Sequence, residues 1–320
     1  MTGATGFVGL NLVAELVEKG WAVTALHRSG SRLDDLRRFP VTLMEGSIRD
    51  PGSLERAIPP GVDAIFHVAG NTNTWRLGNR EQTADNVEGT RNVVRAARAK
   101  EARRLVHTSS IAAFGHHHGT IDETTRSNAS QSWVNYCRTK WLAEEEVRHG
   151  VAEGLEAVIL NPGHIVGPWD RRNWSNLIRA VVRNELPGVP PGRGSWAHVR
   201  EVARAQISAA ERGRVGENYL LGGTDASFLE VIHTIGEITG HRVPRRTTPG
   251  FLLKALAHGK DLLSRISRKE PDLTPEIAAM VCATTTCDST RAKQELGYRS
   301  VPLRVMFEDC YRWMTAEGLL

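Results

Sequence analysis

Gly3-Ala4-Thr5-Gly6-Phe7-Val8-Gly9 stands at the start of the chain, and Leu10 to Lys19 continues from it with Leu12, Val13, Leu16 and Val17 on one helical face. Glycines at every third position let a backbone turn tightly, approach a phosphate closely and pack the following helix against a sheet. The amides at that helix N-terminus then point at an anion, and the spacing suits a dinucleotide pyrophosphate. Gly20 stops the helix before a strand at Ala22-Val23-Thr24-Ala25-Leu26. Outward from there the chain reads as a strand at Val41–Met44, a helix at Pro51–Ile58, a strand at Ala64–Val68, a helix around Glu81–Lys100 and a strand at Arg104–Thr108. Strands this apolar, alternating with helices, imply a doubly wound parallel α/β sheet of Rossmann type, covered on both faces.

A further helix runs to about His149 and a strand at Ala157–Leu160 ends at Asn161-Pro162-Gly163. Beyond Pro168 the pattern loosens into helices and Pro/Gly-rich connections such as Leu186-Pro187-Gly188-Val189-Pro190-Pro191-Gly192. The expected division is a dinucleotide-binding domain at 1–167 and, at 168–320, a smaller C-terminal substrate lobe from which some segments return to the Rossmann domain. Only Met1 and Thr2 precede the glycine turn, whereas a typical strand has about 5–6 residues. The first strand therefore reads as truncated, and the natural protein is expected to begin several residues earlier, with Met1 at that strand's last apolar position.

Among 320 residues there is no apolar run of membrane-spanning length, about 18 residues or more, and no leader pattern at the N-terminus. The expectation is a cytoplasmic protein without stable membrane insertion. Cys137, Cys282, Cys287 and Cys310 form no Cys-x-x-Cys pair and have no ligand-spaced histidines, so reduced thiols are expected and no metal site. The net charge of +5 comes from arginines scattered among acids. That argues against a nucleic-acid partner and for a surface that attracts phosphorylated cofactors or anionic substrates.

At the end of the second strand position, where a carboxylate would hold the ribose 2′-hydroxyl of NAD, the chain reads Leu26-His27-Arg28-Ser29. Arg28, with Arg32 as a second candidate, suits a 2′-phosphate instead, which favours NADP(H) over NAD(H). Tyr136-Cys137-Arg138-Thr139-Lys140 places a phenol and an ammonium one helical turn apart, and Ser110 lies 26 residues upstream of Tyr136, just past a strand. A free phenol has a pKa of about 10, so the expectation is that Lys140 lowers it while Ser110 orients a carbonyl oxygen.

These motifs together resemble the extended short-chain dehydrogenases/reductases of the NAD-dependent epimerase/dehydratase superfamily. His67-Val68-Ala69-Gly70, Asn86-Val87-Glu88-Gly89-Thr90-Arg91-Asn92, Thr108-Ser109-Ser110 with Gly115, and Asn161-Pro162-Gly163-His164-Ile165-Val166-Gly167-Pro168 match as well. Trp196-Ala197-His198-Val199 and Asn218-Tyr219-Leu220-Leu221-Gly222-Gly223 are similar to the branch of dihydroflavonol reductases and 3β-hydroxysteroid dehydrogenases, in which an arginine at the Arg28 position accompanies NADP. The resemblance implies catalysis by Ser110, Tyr136 and Lys140. It implies cofactor contacts from Gly3, Thr5, Gly6, Phe7, Val8, Gly9, Arg28, Ser47, Ile48, Val68, Ala69, Gly70, Asn86, Tyr136, Lys140, Pro162 and Ile165. A homodimer through the helices after the third and fourth strands is also in keeping with it. Two positions depart from the family pattern: Ser47 replaces the usual adenine-contacting aspartate, and Arg200 replaces an aspartate of the second lobe.

The expected function is NADPH-dependent reduction of a small-molecule ketone or aldehyde. A nucleotide-sugar epimerase or dehydratase is the alternative, and a non-catalytic NADP-binding sensor the second. His116-His117-His118 reads as a loop at the pocket mouth rather than a metal site. Trp75, Trp133, Trp169 and Trp174 are candidates for aromatic pocket walls, with core packing equally open for each. Phe251–Ile266, rich in leucine, is expected to cap the substrate cleft by burial, with a membrane surface as the alternative.

Overall fold

The computed structural model describes all 320 residues. In its N-terminal half, helix α1 (Phe7–Glu18) leads to β1 (Thr24–His27), β2 (Thr42–Glu45), α2 (Pro51–Ala57) and β3 (Ile65–His67). The stretch expected as one helix at 81–100 is a continuous helical run made of α3 (Asn79–Thr83), a π-helical turn at Ala84–Glu88 and α4 (Gly89–Ala99). Strand β4 (Leu105–Thr108), a short β5 (Gly119–Ile121), α5 (Asn135–Ala152), β6 (Ala157–Pro162) and β7 (His164–Val166) complete this half.

The remainder contributes α6 (Ser175–Val182), β8 (Arg193–His198), α7 (Val199–Arg212), β9 (Asn218–Leu221), β10 (Thr224–Ser227), α8 (Phe228–Thr239), α9 (Gly250–Ser267), α10 (Pro275–Val281), β11 (Thr285–Cys287), α11 (Thr290–Leu296) and α12 (Leu303–Ala316). Strands β3, β4, β6 and β9 form one parallel run, β1 and β2 another. Thr2 lies between the two, bridging Leu26 on one side and His67 on the other. It donates to the Phe66 carbonyl at 3.0 Å, and Met1 accepts from the Leu26 amide at 2.9 Å. The order is thus β2-β1-Thr2-β3-β4-β6-β9, with the chain's progress across the sheet reversing at Thr2, the position at which such sheets bind ligands.

Period-2 alternation in the strands feeds two separate cores. Leu105, Ala157 and Ile159 turn toward α2, α4 and α5 with Leu54, Val93 and Val147. Val106, Val158 and Leu160 turn to the other face, where Leu12 and Leu16 of α1 meet Val202 and Ile207 of α7. Both faces are therefore covered, as the apolar strands require. Helix α7 and strand β9 lie well past residue 168 yet pack on this large sheet. Arg200, the departure at the start of α7, approaches Glu15 of α1 at 3.7 Å, and Arg204 reaches the same carboxylate at 2.9 Å.

A third core holds the smaller lobe, around Trp196, Phe228, Val231, Met306 and Phe307. It is built on the sheet β10-β8-β7. Trp174 and Trp196 pack edge to face, with ring centroids 5.1 Å apart. The burial expected along Phe251–Ile266 is found on one face only. Leu253 and Ala257 are buried, but Leu252, Leu256, Leu262 and Leu263 are exposed. Leucine spacing alone carried that expectation, and this helix has apolar residues on its outer face as well.

Candidate functional site

Glycine geometry at the start of α1 fits a phosphate cradle. Gly3 has φ +72°, and a Cβ there would stand 2.5 Å from the Ala69 amide nitrogen. A Cβ on Gly9 would come within 2.0 Å of the Gly3 carbonyl oxygen, so turn and helix are in backbone contact. No side chain caps α1 and no acid lies in its first turn. The first-turn amides, which have no helical carbonyl partner, are therefore left for an anion.

The cradle opens into a cavity of about 960 Å³ between the large sheet and the smaller lobe, within the range of small-molecule and cofactor sites. Gly3, Thr5, Gly6, Arg28, Ser47, Ile48, Val68, Ala69, Gly70, Ser110 and Tyr136 all line it. Phe7, Val8, Gly9, Asn86, Lys140, Pro162 and Ile165 do not. The first three form the helical turn behind the cradle. Asn86 spends its amide on structure: its Oδ1 accepts from the Asn71 amide at 2.7 Å, and its Nδ2 donates to the Asn71 carbonyl at 3.0 Å and to Thr139 at 3.1 Å. Between Pro162 and Ile165, it is Gly163 and His164 that face the cavity.

Arg28 is exposed at the cavity wall, just past β1, and makes no ion pair. Arg32 is instead turned to Asp34 at 3.4 Å and Asp35 at 3.8 Å. Of the two arginines, only Arg28 is free for a phosphate. Ser47, in place of the usual carboxylate, accepts from the Arg49 amide through its hydroxyl.

Ser110 follows β4 in extended conformation, and Tyr136 and Lys140 lie on α5. Their relative placement is fixed one turn further along the helix. The buried Glu144 accepts from the hydroxyl of Ser109, from Asn161 of β6, from Asn218 of β9 and from Arg148. Asn161 also donates to the Ser110 carbonyl at 3.0 Å. Helix and sheet are thereby locked in register at the edge where Ser110 emerges.

Electrostatics here differ from the sequence expectation. Burial pushes the Tyr136 phenol up to about 12, with the Ser110 hydroxyl acting in the lowering direction. The depression expected from Lys140 is absent. Lys140 donates to the Thr108 carbonyl at 2.9 Å, and its ammonium is pulled down to about 8 by burial, with Glu144 opposing. The side chain lies behind the wall, with its Nζ 3.5 Å from the position of a Cβ on Gly70.

Several cavity residues carry no local sequence signal. Ile277, Met280 and Val281 line the cavity, and α10 brings them there from more than a hundred residues beyond Tyr136. Glu276 accepts from the Asn135 amide at the start of the Tyr136 helix, and burial raises its carboxyl to about 7. Of the four tryptophans proposed as walls, only Trp174 lines the cavity. Trp75 donates to Ser264, Trp169 packs on Phe39, and Trp133 is exposed. His116 lines the cavity and contacts Ser132 at 3.1 Å, whereas His117 contacts the Phe114 carbonyl, so the adjacent imidazoles diverge.

Comparison with known proteins gives a consistent result. Residues 1–222 match the model of the NAD dependent epimerase/dehydratase family. The chain is 32% identical to sterol demethylase protein B of Methylococcus capsulatus, over 100% of this chain and 99% of that one. It is 29% identical to the 4-hydroxy-2-methyl-3-oxo-4-farnesyl-3,4-dihydroquinoline-1-oxide ketoreductase of Stigmatella aurantiaca, over 93% and 90% of the two chains. Among solved structures, gox2253 superposes with a TM-score of 0.86 at 32% identity, covering 100% of this chain and 98% of that one.

Proposed function

The chain belongs to the NAD dependent epimerase/dehydratase family, as an extended short-chain dehydrogenase/reductase, and from that premise we propose that it reduces a ketone or aldehyde using NADPH. The observation that carries the proposal is that Ser110 and Tyr136 line the same cavity as the glycine cradle and the unpaired Arg28. The nicotinamide, when bound, supplies the hydride that reaches the carbonyl carbon. Ser110 donates a hydrogen bond to the carbonyl oxygen, and Tyr136 gives that oxygen its phenolic proton. A phenol raised to about 12 holds its proton at neutral pH but is a weak acid. The phenolate left behind needs a nearby cation, and Lys140, one turn along α5, supplies it if its ammonium turns from the Thr108 carbonyl toward Tyr136 in the loaded site.

Ile277, Met280 and Trp174 give the cavity apolar wall surface, beside the polar Arg172, Asn173 and Glu270. That supports a carbonyl compound with a hydrophobic body, in keeping with the relative named as a ketoreductase. Epimerases and dehydratases of sugar nucleotides regenerate their cofactor within one cycle, so net cofactor consumption separates the readings. Tyr136→Phe is expected to lower kcat by about 10²–10⁴-fold while leaving NADPH affinity nearly unchanged. Turnover retained in that variant would refute the assignment, and turnover by the parent protein without net NADPH oxidation would favour the epimerase.

A further inference from the structure

Helix α9 has two faces of different character. Leu253, Ala257, Asp261 and Ser264 are buried against the lobe, with Ser264 accepting from the Trp75 indole at 3.2 Å. The opposite face carries Phe251, Leu252, Leu256, Leu262, Leu263 and Ile266, all exposed, with Ile266 at 82% and Phe251 at 70%. Ala255 and Gly259 fill the gaps among them. At 100° per residue these positions fall in a single arc of about 140°, and the stripe runs about 22 Å along the axis. No polar side chain interrupts it. Contiguous apolar surface of this kind on an otherwise polar protein marks an interaction site.

The charge around the stripe points to the partner. Residues 242–270 contain eight lysines and arginines against two acids, a larger positive excess than the net +5 of the whole chain. Arg242, Arg245 and Arg246 lead into the helix, Lys254 and Arg265 flank the stripe, and Arg268 and Lys269 follow it, all exposed. One of the two acids, Asp261, is buried and paired with Arg265 at 2.8 Å. We propose that α9 docks this protein on an anionic phospholipid surface, the apolar stripe entering the acyl boundary and the flanking cations meeting lipid phosphates.

An apolar face with a basic rim is what such an interface selects. The helix lies on the surface rather than crossing it, since no helix is long and apolar enough to span a membrane. A second copy of the chain is a poorer occupant, because pairing two α9 faces would bring the two cationic rims together. The cavity lies close by: Glu270, just past α9, lines its wall, and α10 follows with Ile277 and Met280. Docking would therefore bring the cavity region near the lipid, although the inference does not rest on the reductase reading.

The test is co-sedimentation of the full chain with vesicles of phosphatidylcholine alone and of phosphatidylcholine with one third phosphatidylglycerol. Partition into the anionic vesicles is expected to be stronger by about tenfold or more, and to weaken with added salt. Leu262→Glu with Leu263→Glu should abolish it, and Arg245→Glu with Arg246→Glu should reduce it and its salt dependence. These side chains are exposed, so unchanged thermal melting checks that the variants are folded. Absence of binding to both vesicles overturns the proposal. So does a concentration-dependent dimer dispersed by the leucine variants with no vesicle binding, which would assign the stripe to a second copy.

Discussion

Arg28→Ser is the substitution whose effect follows most directly from the geometry. Arg28 stands exposed at the cavity wall and makes no intramolecular ion pair, so its removal should change stability by no more than about 0.5 kcal/mol. Its contribution to a bound 2′-phosphate is a charge-assisted hydrogen bond, worth about 1.5–3 kcal/mol. Solvent exposure places the value just below that range, at about 1.4 kcal/mol, equivalent to tenfold in Kd. NADH has no 2′-phosphate and should bind parent and variant alike. Fluorescence titration with each cofactor is therefore expected to give a preference for NADPH of about tenfold in the parent and none in the variant. The parent's NADPH affinity should also fall with salt more steeply than the variant's, because the interaction lies in solvent. Equal binding of the two cofactors by the parent, or a preference that survives in the variant, would refute the role of Arg28.

On the proposed reading, Lys140 sets the upper pH limit. With its ammonium lowered to about 8, the charge that offsets the Tyr136 phenolate is present below that pH and lost above it, so kcat for reduction should decline through pH 8; a rate flat to pH 10 would remove Lys140 from this role. Gly9→Ala tests the cradle. In an ordinary helix interior alanine would stabilise by about 1 kcal/mol, but a Cβ 2.0 Å from the Gly3 oxygen should instead destabilise by about 1–3 kcal/mol and weaken NADPH binding, measured by denaturant melts and titration. In the smaller lobe, Phe307 is fully buried beside Trp196, and Phe307→Ala is expected to cost about 3–5 kcal/mol by denaturant unfolding.

The sheet was legible because its signal is local. Each strand is a short apolar run between turn residues, and both faces are buried, so periodicity and length suffice to place β1 to β4 and β6 to within two residues at either end. The helix read at 81–100 is present as a continuous helical run over 79–99, but its π-helical turn at Ala84–Glu88 accommodates an extra residue without changing composition and so leaves no mark in the pattern. That turn carries Asn86, whose amide holds the Asn71 backbone beside the cavity. Beyond residue 168 the pattern could show helices but not the layer to which each belongs. The apolar face of α7 looks the same whether it packs on the large sheet or in the smaller lobe. For α9, leucines on both sides of the helix made the direction of burial unreadable, and the structure places most of them outward.

The site divides along the same line. The glycine turn and the Tyr136/Lys140 pair are contiguous, so sequence spacing was enough to find them, whereas Glu276, Ile277 and Met280 reach the cavity or its supporting helix through tertiary folding alone. Spacing also misled where the answer depended on burial. It placed Lys140 one turn from Tyr136 and suggested a lowered phenol, but desolvation raises the phenol to about 12 and the lysine Nζ is bonded to the Thr108 carbonyl. The raised phenol bears on both directions of a hydride transfer, because the phenolate that burial disfavours is the product of carbonyl reduction as well as the base for alcohol oxidation. On the proposed reading, Lys140 turns toward the phenol when the site is filled, and the expected outcome is a cofactor-dependent fall in the Tyr136 pKa, read by ultraviolet titration against Tyr136→Phe. A phenol that stays near 12 with cofactor bound would remove Lys140 from that role.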